Sequence, residues 1–335
     1  MRKVLSITIV VALLMAAGAA VLFRRTSSTT TTSSTATTTT APHYPTAPLT
    51  GLVDPSGLSL KRSALTVKIE NTPEALPQWG VDQADVIYEE IVNGGITRLA
   101  AIFNSTAPSK VGPVRSVRPT DTQIVWPLGG IFAYSGGAPY AIASVSTAPV
   151  KLIDESNAGS AMFRDSSRVA PHNLYAVAQG LFAKGGSPVP PPALFSYRRG
   201  TAAPSGAPVT SVVVPFPSIY TVTWTWNAST ASWDRTLFGQ ADVTGTGVRE
   251  SPKNVIVMYV NYVNGIGTMA SYGDLQGSGP VAVFTDHKQI MGTWSRGSSK
   301  SDVITYQTST GAPIALTPGQ TWVELLNVGV KISVK

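Results

Sequence analysis

Residues 86–121 read VIYEEIVNGGITRLAAIFNSTAPSKVGPVRSVRPTD, and the reading of this stretch decides the rest. Val86 to Val92 is rich in β-formers and aromatics. Asn93-Gly94-Gly95 suits the positive φ of a tight turn, and Ile96 to Phe103 is strand-like again, so the pattern predicts a β-hairpin. A two-residue turn at Asn93-Gly94 sets Glu89 opposite Arg98, whereas a three-residue turn sets Glu90 there. Either register makes a structural ion pair from Glu89, Glu90 and Arg98, contributing roughly 0.2–1 kcal/mol across the ladder. Adjacent strand residues face opposite sides of a sheet. Glu89 and Glu90 therefore diverge, and one of them needs another partner or water. A helix over Ala84 to Val92 is the competing reading. Charges in such apolar surroundings are costly unless paired, so this cluster is either an ion-pair network or a site.

Outward from the hairpin, the 335-residue chain is 43% hydrophobic and only 13% charged, which marks a globular protein of one large or two ordinary domains. At its start Arg2 and Lys3 precede an apolar run over residues 4–23, long enough to span one hydrocarbon core of roughly 30 Å. Residues 1–25 read as an export segment in two versions: a signal peptide cut near Ala17-Gly18-Ala19, or a retained single-pass anchor closed by Arg24-Arg25. The protein then lies on the extracytoplasmic face of a bacterial membrane, or is secreted if the segment is cleaved. Without Arg2, Lys3, Arg24 and Arg25 the chain keeps 21 basic and 18 acidic residues, a net charge of +3. The pI of about 9.6 is thus partly a targeting effect, and no nucleic-acid partner is expected.

Cysteine is absent, which excludes a lipid-bearing cysteine, disulfides, thiolate metal sites and cysteine nucleophiles. Thr26 to Thr40 is Ser or Thr at 14 of 15 positions, and residues 26–47 are expected to form a disordered stalk. Residues 48–184 read as an N-terminal α/β domain, with strands at Leu65–Glu70 and Gly130–Tyr134 and helices near Thr120–Val125, after Pro139 and over Leu174–Lys184. Residues 185–208, with six prolines, read as a linker. Residues 209–335 read as a β-rich domain containing the hairpin TVTWTW/ASWDRTLF and strands near 254–262, 280–285, 288–294, 304–307 and 321–326.

Taken in order, ADVIYEEIVNGGITRLAAIF, VGPVRSVRPTD, AYSGGAP and APHNLY, then KNVIVMYV, GTWSR and ALTPGQTWVELL, resemble the two domains of the YerB-like family of bacterial envelope proteins. The likeness runs over residues 48–335. It implies an exported α+β protein built as a layered sheet–sheet–helix sandwich with a β-rich C-terminal part, and it implies little about activity. This chain departs from the lipoprotein members in lacking their cysteine.

For ligand binding, Arg115 and Arg118 lie in a proline-bounded loop, and their planar forks suit phosphate or carboxylate. With Arg98 and the backbone of Ser135-Gly136-Gly137 they outline an anion pocket, unless they merely staple loops to Asp121, Glu89 or Glu90. A second polar loop carries Asp165, Arg168, His172 and Asn173. His172 and Asp121 are the candidates for acid–base catalysis. Ser135 lacks the glycine that opens a nucleophile elbow, and adjacent Glu89 and Glu90 cannot flank one glycosidic bond. The histidines have no metal-ligand spacing, so neither metal nor cofactor is expected. Five of the seven tryptophans fall in the second half, where alternation on strands favours packing over sugar platforms. The resulting expectation is a membrane-anchored envelope protein that binds an anionic glycan or a partner envelope protein without catalysis. The rival is an envelope hydrolase or transferase acting on a phosphorylated or glycan substrate through Arg115, Arg118, Asp121 and His172.

Overall fold

The computed structural model describes residues 44–185, 188–200 and 203–335. The expected export segment, residues 1–25, and most of the Ser/Thr-rich stretch lie outside the described residues. At its end the expected stalk over residues 26–47 reaches into folded chain: Thr46 bridges Val53 and Ala47 is buried. Among the described residues no helix is long and apolar enough to cross a membrane.

In chain order the elements are β1 (Leu65–Glu70), β2 (Val86–Ile91), β3 (Thr97–Phe103), α1 (Pro119–Val125), β4 (Ile131–Ala133), α2 (Pro139–Val145), β5 (Lys151–Ile153), α3 (Glu155–Ala158), β6 (Met162–Arg164), β7 (Leu174–Ala176) and α4 (Ala178–Ala183). There follow β8 (Ser196–Tyr197), β9 (Ala207–Pro208), β10 (Ser211–Pro215), β11 (Thr221–Asn227), β12 (Ser232–Leu237), β13 (Gln240–Ala241), β14 (Asn254–Val263), β15 (Tyr272–Asp274), β16 (Gly277–Thr285), β17 (Lys288–Arg296), β18 (Thr305–Thr308), β19 (Ala315–Leu316), β20 (Thr321–Asn327) and β21 (Ser333–Val334). The stretch expected to be one helix from Leu174 is instead β7 followed by the short α4. Leu174, Tyr175 and Ala176 are all buried, and the strand position lets β7 pair with β6.

The expected hairpin is β2–β3. Val92 N–H donates to Ile96 O at 2.8 Å, which leaves a three-residue loop and sets Glu90 opposite Arg98. Gly94 takes φ of 80°, a conformation that favours glycine. Every residue of β1, β2 and β3 is buried, as strands covered on both faces require.

These strands sit inside one long sheet ordered β18-β17-β16-β14-β20-β2-β3-β1-β4-β5. β2 pairs in parallel with β20, Val86 lying beside Thr321 and Glu89 beside Glu324. Residues 43–335 accordingly form one compact unit. The proline-rich connection is a boundary in sequence but not in the sheet, because a strand from each side of it completes the same ladder. A second sheet, β13-β12-β11-β10-β21, packs on one face of the long sheet, where Trp224 meets Trp322 at 5.2 Å and Trp233 meets Phe284 at 5.8 Å. Helices α1 and α2 cover the other face through a cluster of Val117, Val125, Phe132, Ala141 and Val145. The architecture is the α+β layered sandwich.

Candidate functional site: an arginine cluster at the sheet's carboxyl edge

β1 and β4 are parallel, and β1 and β2 are both antiparallel to β3. The carboxyl ends of β1, β2 and β4 therefore share one edge, the place where ligands gather in open α/β sheets. This edge carries Glu70, Glu90 and Ser135–Gly137, and β3 brings Arg98 in beside them. The segment after Pro113 is drawn into the same place by backbone bonds: Glu70 N–H to Pro113 O (2.9 Å), Arg115 N–H to Lys68 O (2.8 Å), Ser135 N–H to Arg115 O (2.9 Å) and Val117 N–H to Gly136 O (3.0 Å). Arg115 and Arg118 are thus fixed close to Arg98, whose Nη1 donates to Ser116 O at 3.0 Å.

The carboxylates beneath are already engaged. Lys68, fully buried, pairs with Glu90 and lies 2.8 Å from Asp121. Glu70 receives both Arg115 (3.1 Å) and His172 Nδ1 (2.9 Å). Arg118 Nε donates to Asn93 Oδ1 at 3.2 Å and its Nη1 to Val117 O at 2.9 Å. The cluster therefore sets the cations Lys68, Arg98, Arg115 and Arg118 against the carboxylates Glu70, Glu90 and Asp121. Arg98 and Arg118 place their hydrogen bonds on neutral oxygens.

The titration behaviour follows from this arrangement. Burial first, and then Arg118 and Arg115, push the Arg98 guanidinium down to about 9, with Glu70 and Glu90 opposing. Arg118 is also lowered, chiefly by burial, with Glu90 and Asp121 opposing. Asp121 is pushed up to about 6 by burial against the pull of Lys68. Both guanidiniums stay charged at neutral pH, in a partly dehydrated place with surplus positive charge.

The sequence-predicted residues separate here. Arg98, Arg115, Arg118 and His172 converge, because the two polar loops meet on Glu70. Asp121 is sealed from solvent and its Oδ2 accepts the Arg118 N–H at 2.7 Å as a helix cap, which leaves it no route to a substrate. Ser135 is not the free donor expected, since its N–H is spent on Arg115 O. Gly136 takes φ of 64° with open space beside it, and Gly137 packs so closely on Val117 that a Cβ would come within 2.6 Å. Arg168 is a staple and not an anion receptor. It donates to the carbonyls of Glu74 (2.7 Å), Leu76 (3.0 Å) and Pro77 (3.2 Å) and to the Tyr175 hydroxyl (2.7 Å). Asn173 donates to the Asp165 and Arg168 carbonyls, and Asp165 binds Lys110 at 2.7 Å. That loop is built for its own rigidity.

Two profiles of one family match the chain: "Protein of unknown function (DUF3048) N-terminal domain" over residues 49–186 and the corresponding C-terminal domain over residues 212–323. The chain belongs to this family. The Bacillus subtilis (strain 168) protein named "Putative lipoprotein YerB" is 35% identical over 130 residues, 38% of this chain and 39% of that one, so the match spans about four-tenths of the relative's length. The crystal structure of the YerB protein from Bacillus subtilis superposes with a TM-score of 0.72 at 22% identity, covering 86% of this chain and 99% of that one. The shared fold is established by that likeness.

Within this DUF3048 fold the partners of the central glutamates were not foreseen. Glu90 pairs with Lys68 and Glu89 with Arg235 (2.7 Å), and neither of these ion pairs involves Arg98. Lys68 and Glu70 carried a usable signal: charged residues inside the strand LTVKIE, in the same apolar setting that drew attention to Glu89 and Glu90. Arg235 sits in SWDRTLF, where alternation puts it on the buried side of β12, but its partner is 146 residues away in sequence. Trp224, Trp233 and Trp322 are fully buried and serve packing.

Proposed function

We propose that this is an envelope protein of the extracytoplasmic side, held at the membrane by its apolar segment, that binds an anionic glycan at the Arg98–Arg115–Arg118 face without chemistry of its own. The supporting observation is the gathering of three guanidiniums at the sheet's carboxyl edge, two of them on neutral oxygens. A phosphate or carboxylate offers such forks paired, charge-assisted bonds, roughly twice as strong as the neutral ones they replace. The lipoprotein name of the Bacillus relative supports an envelope location. In this chain attachment falls to residues 4–23, since there is no cysteine to carry lipid.

The test is binding to a phosphate-bearing wall polymer and to a neutral polysaccharide, for the natural chain and for one carrying Arg115→Ala and Arg118→Ala. Selective, salt-sensitive binding by the natural chain, lost in a double variant that still unfolds cooperatively within a few degrees of it, is the expected result. Equal binding by both proteins removes the arginine face from the reading. Turnover of the polymer would replace binding with catalysis.

A further inference from the structure

Away from the arginines, a cavity of about 380 Å³ opens between α1, α2 and β15, a size within the range of small-ligand sites. One side of α1 and the residue that ends it line the cavity with Pro119, Thr122, Gln123 and Trp126; Ser144 of α2, Thr147 just after it, and Tyr272 and Asp274 of β15 face them. Trp126 differs from the core tryptophans. It is half-buried and also lines a second cavity of about 500 Å³. The Lys300 ammonium, on an exposed side chain, rests 4.5 Å from the indole centroid. The Thr122 and Ser144 hydroxyls lie 2.8 Å apart on the wall, and among the described residues Asp274 Oδ1 accepts a local bond from Gln276 N–H at 3.1 Å.

We propose that this cavity binds a neutral oligosaccharide, with one pyranose ring stacked on Trp126 and its hydroxyl rim bonded to Asp274, Thr122 and Ser144. A pyranose presents an apolar C–H face with partial positive charge, which the negative face of an indole attracts. The Lys300 ammonium occupies the position that this C–H face takes, so sugar and lysine compete for the ring. A neutral ligand fits better than an acidic one. Arg296, the other cation on the wall, already donates to the carbonyls of Gln123, Lys300 and Asp302, and Asp274 repels anions.

The experiment is calorimetric titration of the full-length chain with three probes: cellotetraose, maltotetraose and the N-acetylglucosamine tetramer. At least one is expected to bind, with about tenfold weaker affinity in Trp126→Ala and tighter affinity in Lys300→Ala. Thr147→Phe, an exposed change that fills the cavity without touching the core, is expected to abolish binding even if Trp126→Ala does not fold. Absence of binding by all three probes overturns the proposal, as does binding that survives Thr147→Phe.

Discussion

Glu89 and Glu90 are neighbours in sequence, and each anchors a buried charge network on its own face of the long sheet. Behind Glu89 the network is sealed. Arg235 pairs with Glu89 and Asp242 and lies 4.5 Å from the Trp322 ring centroid, while Glu324 accepts the Trp224 indole N–H at 2.8 Å. Acid exceeds base there, and the surplus shifts carboxyls toward their protonated forms. Burial and the neighbouring Glu89 hold the Glu324 carboxyl well above the usual range, and burial with Asp242 and Asp82 does the same for Glu250. Behind Glu90 base exceeds acid, and the network is vented: Arg115 and His172 keep 21% and 25% of their side-chain surfaces in solvent. An arginine cannot settle a surplus by releasing a proton near neutral pH. It can do so by taking an anion from solution. The same device, charge in a sheet, serves folding on one face and, in the function proposed above, recognition on the other, according to the sign of the excess and the presence of an opening.

The comparison breaks most visibly at Arg235. Arg235→Ala leaves Glu89 and Asp242 buried without their cation, a loss of about 3–5 kcal/mol. Burial alone would lower the Arg235 guanidinium, but Glu89 and Asp242 outweigh it and hold it raised, so Arg235 remains the charge that those acids need. A melting temperature lower by roughly 6–20 °C is expected. A variant that melts with the natural chain would show that the sealed network is dispensable.

On the vented face the expected loss is of binding and not of fold. Anions stabilise a protein that binds them by RT ln(1 + [L]/Kd), about 2.7 kcal/mol at a hundredfold excess over Kd. Inorganic phosphate should therefore raise the melting temperature of the natural chain and leave Arg118→Ala unmoved, while the two chains differ by about 1 kcal/mol or less in its absence. Equal phosphate stabilisation of both would place the anion elsewhere.

These two networks mark how far the sequence could be read. The hairpin, the divergence of Glu89 and Glu90 and the arginines of GPVRSVRP all follow from local rules: period two in a strand, glycine in a turn, charge in apolar surroundings. What local rules could not supply was pairing over long separations. Lys68 reaches Asp121 across 53 residues, His172 reaches Glu70 across 102, and β20 completes the sheet beside β2. Each of these depends on how strands are ordered, which the hydrophobic pattern of any one strand leaves open. The boundary expected at the prolines falls where the two family profiles also divide, after residue 186 and before residue 212, but composition alone gave no sign that β2 and β20, from either side of it, share one ladder.

Titration gives a third separation of the faces. The Asp121 carboxyl titrates at about 6 in the fold, above its ordinary value of 3.8, so between those values the folded state holds the proton more than the unfolded one does. Its contribution is fully present below about pH 4 and is lost as the pH rises through 6, on the order of 3 kcal/mol. Asp121→Asn should flatten this fall while keeping an oxygen for the Arg118 cap. Denaturant unfolding of both chains at pH 4, 5, 6 and 7 measures the difference, and parallel curves would deny Asp121 its raised titration.

The smallest effect tests whether Arg118 is held in reserve. Its Nε and Nη2 both donate to Asn93 Oδ1, at 3.2 and 2.5 Å, a neutral acceptor in the hairpin turn that an incoming anion must replace. Asn93→Ala removes the competitor. Losing this one shared, partly exposed acceptor should destabilise the fold by about 0.5–1.5 kcal/mol, while phosphate affinity rises by a few-fold because less has to be exchanged on binding. Stability and affinity would then move in opposite directions under one substitution, which a purely structural arginine would not allow. If Asn93→Ala weakens phosphate binding instead, Asn93 is part of the receptor, and the guanidinium depends on it for its aim.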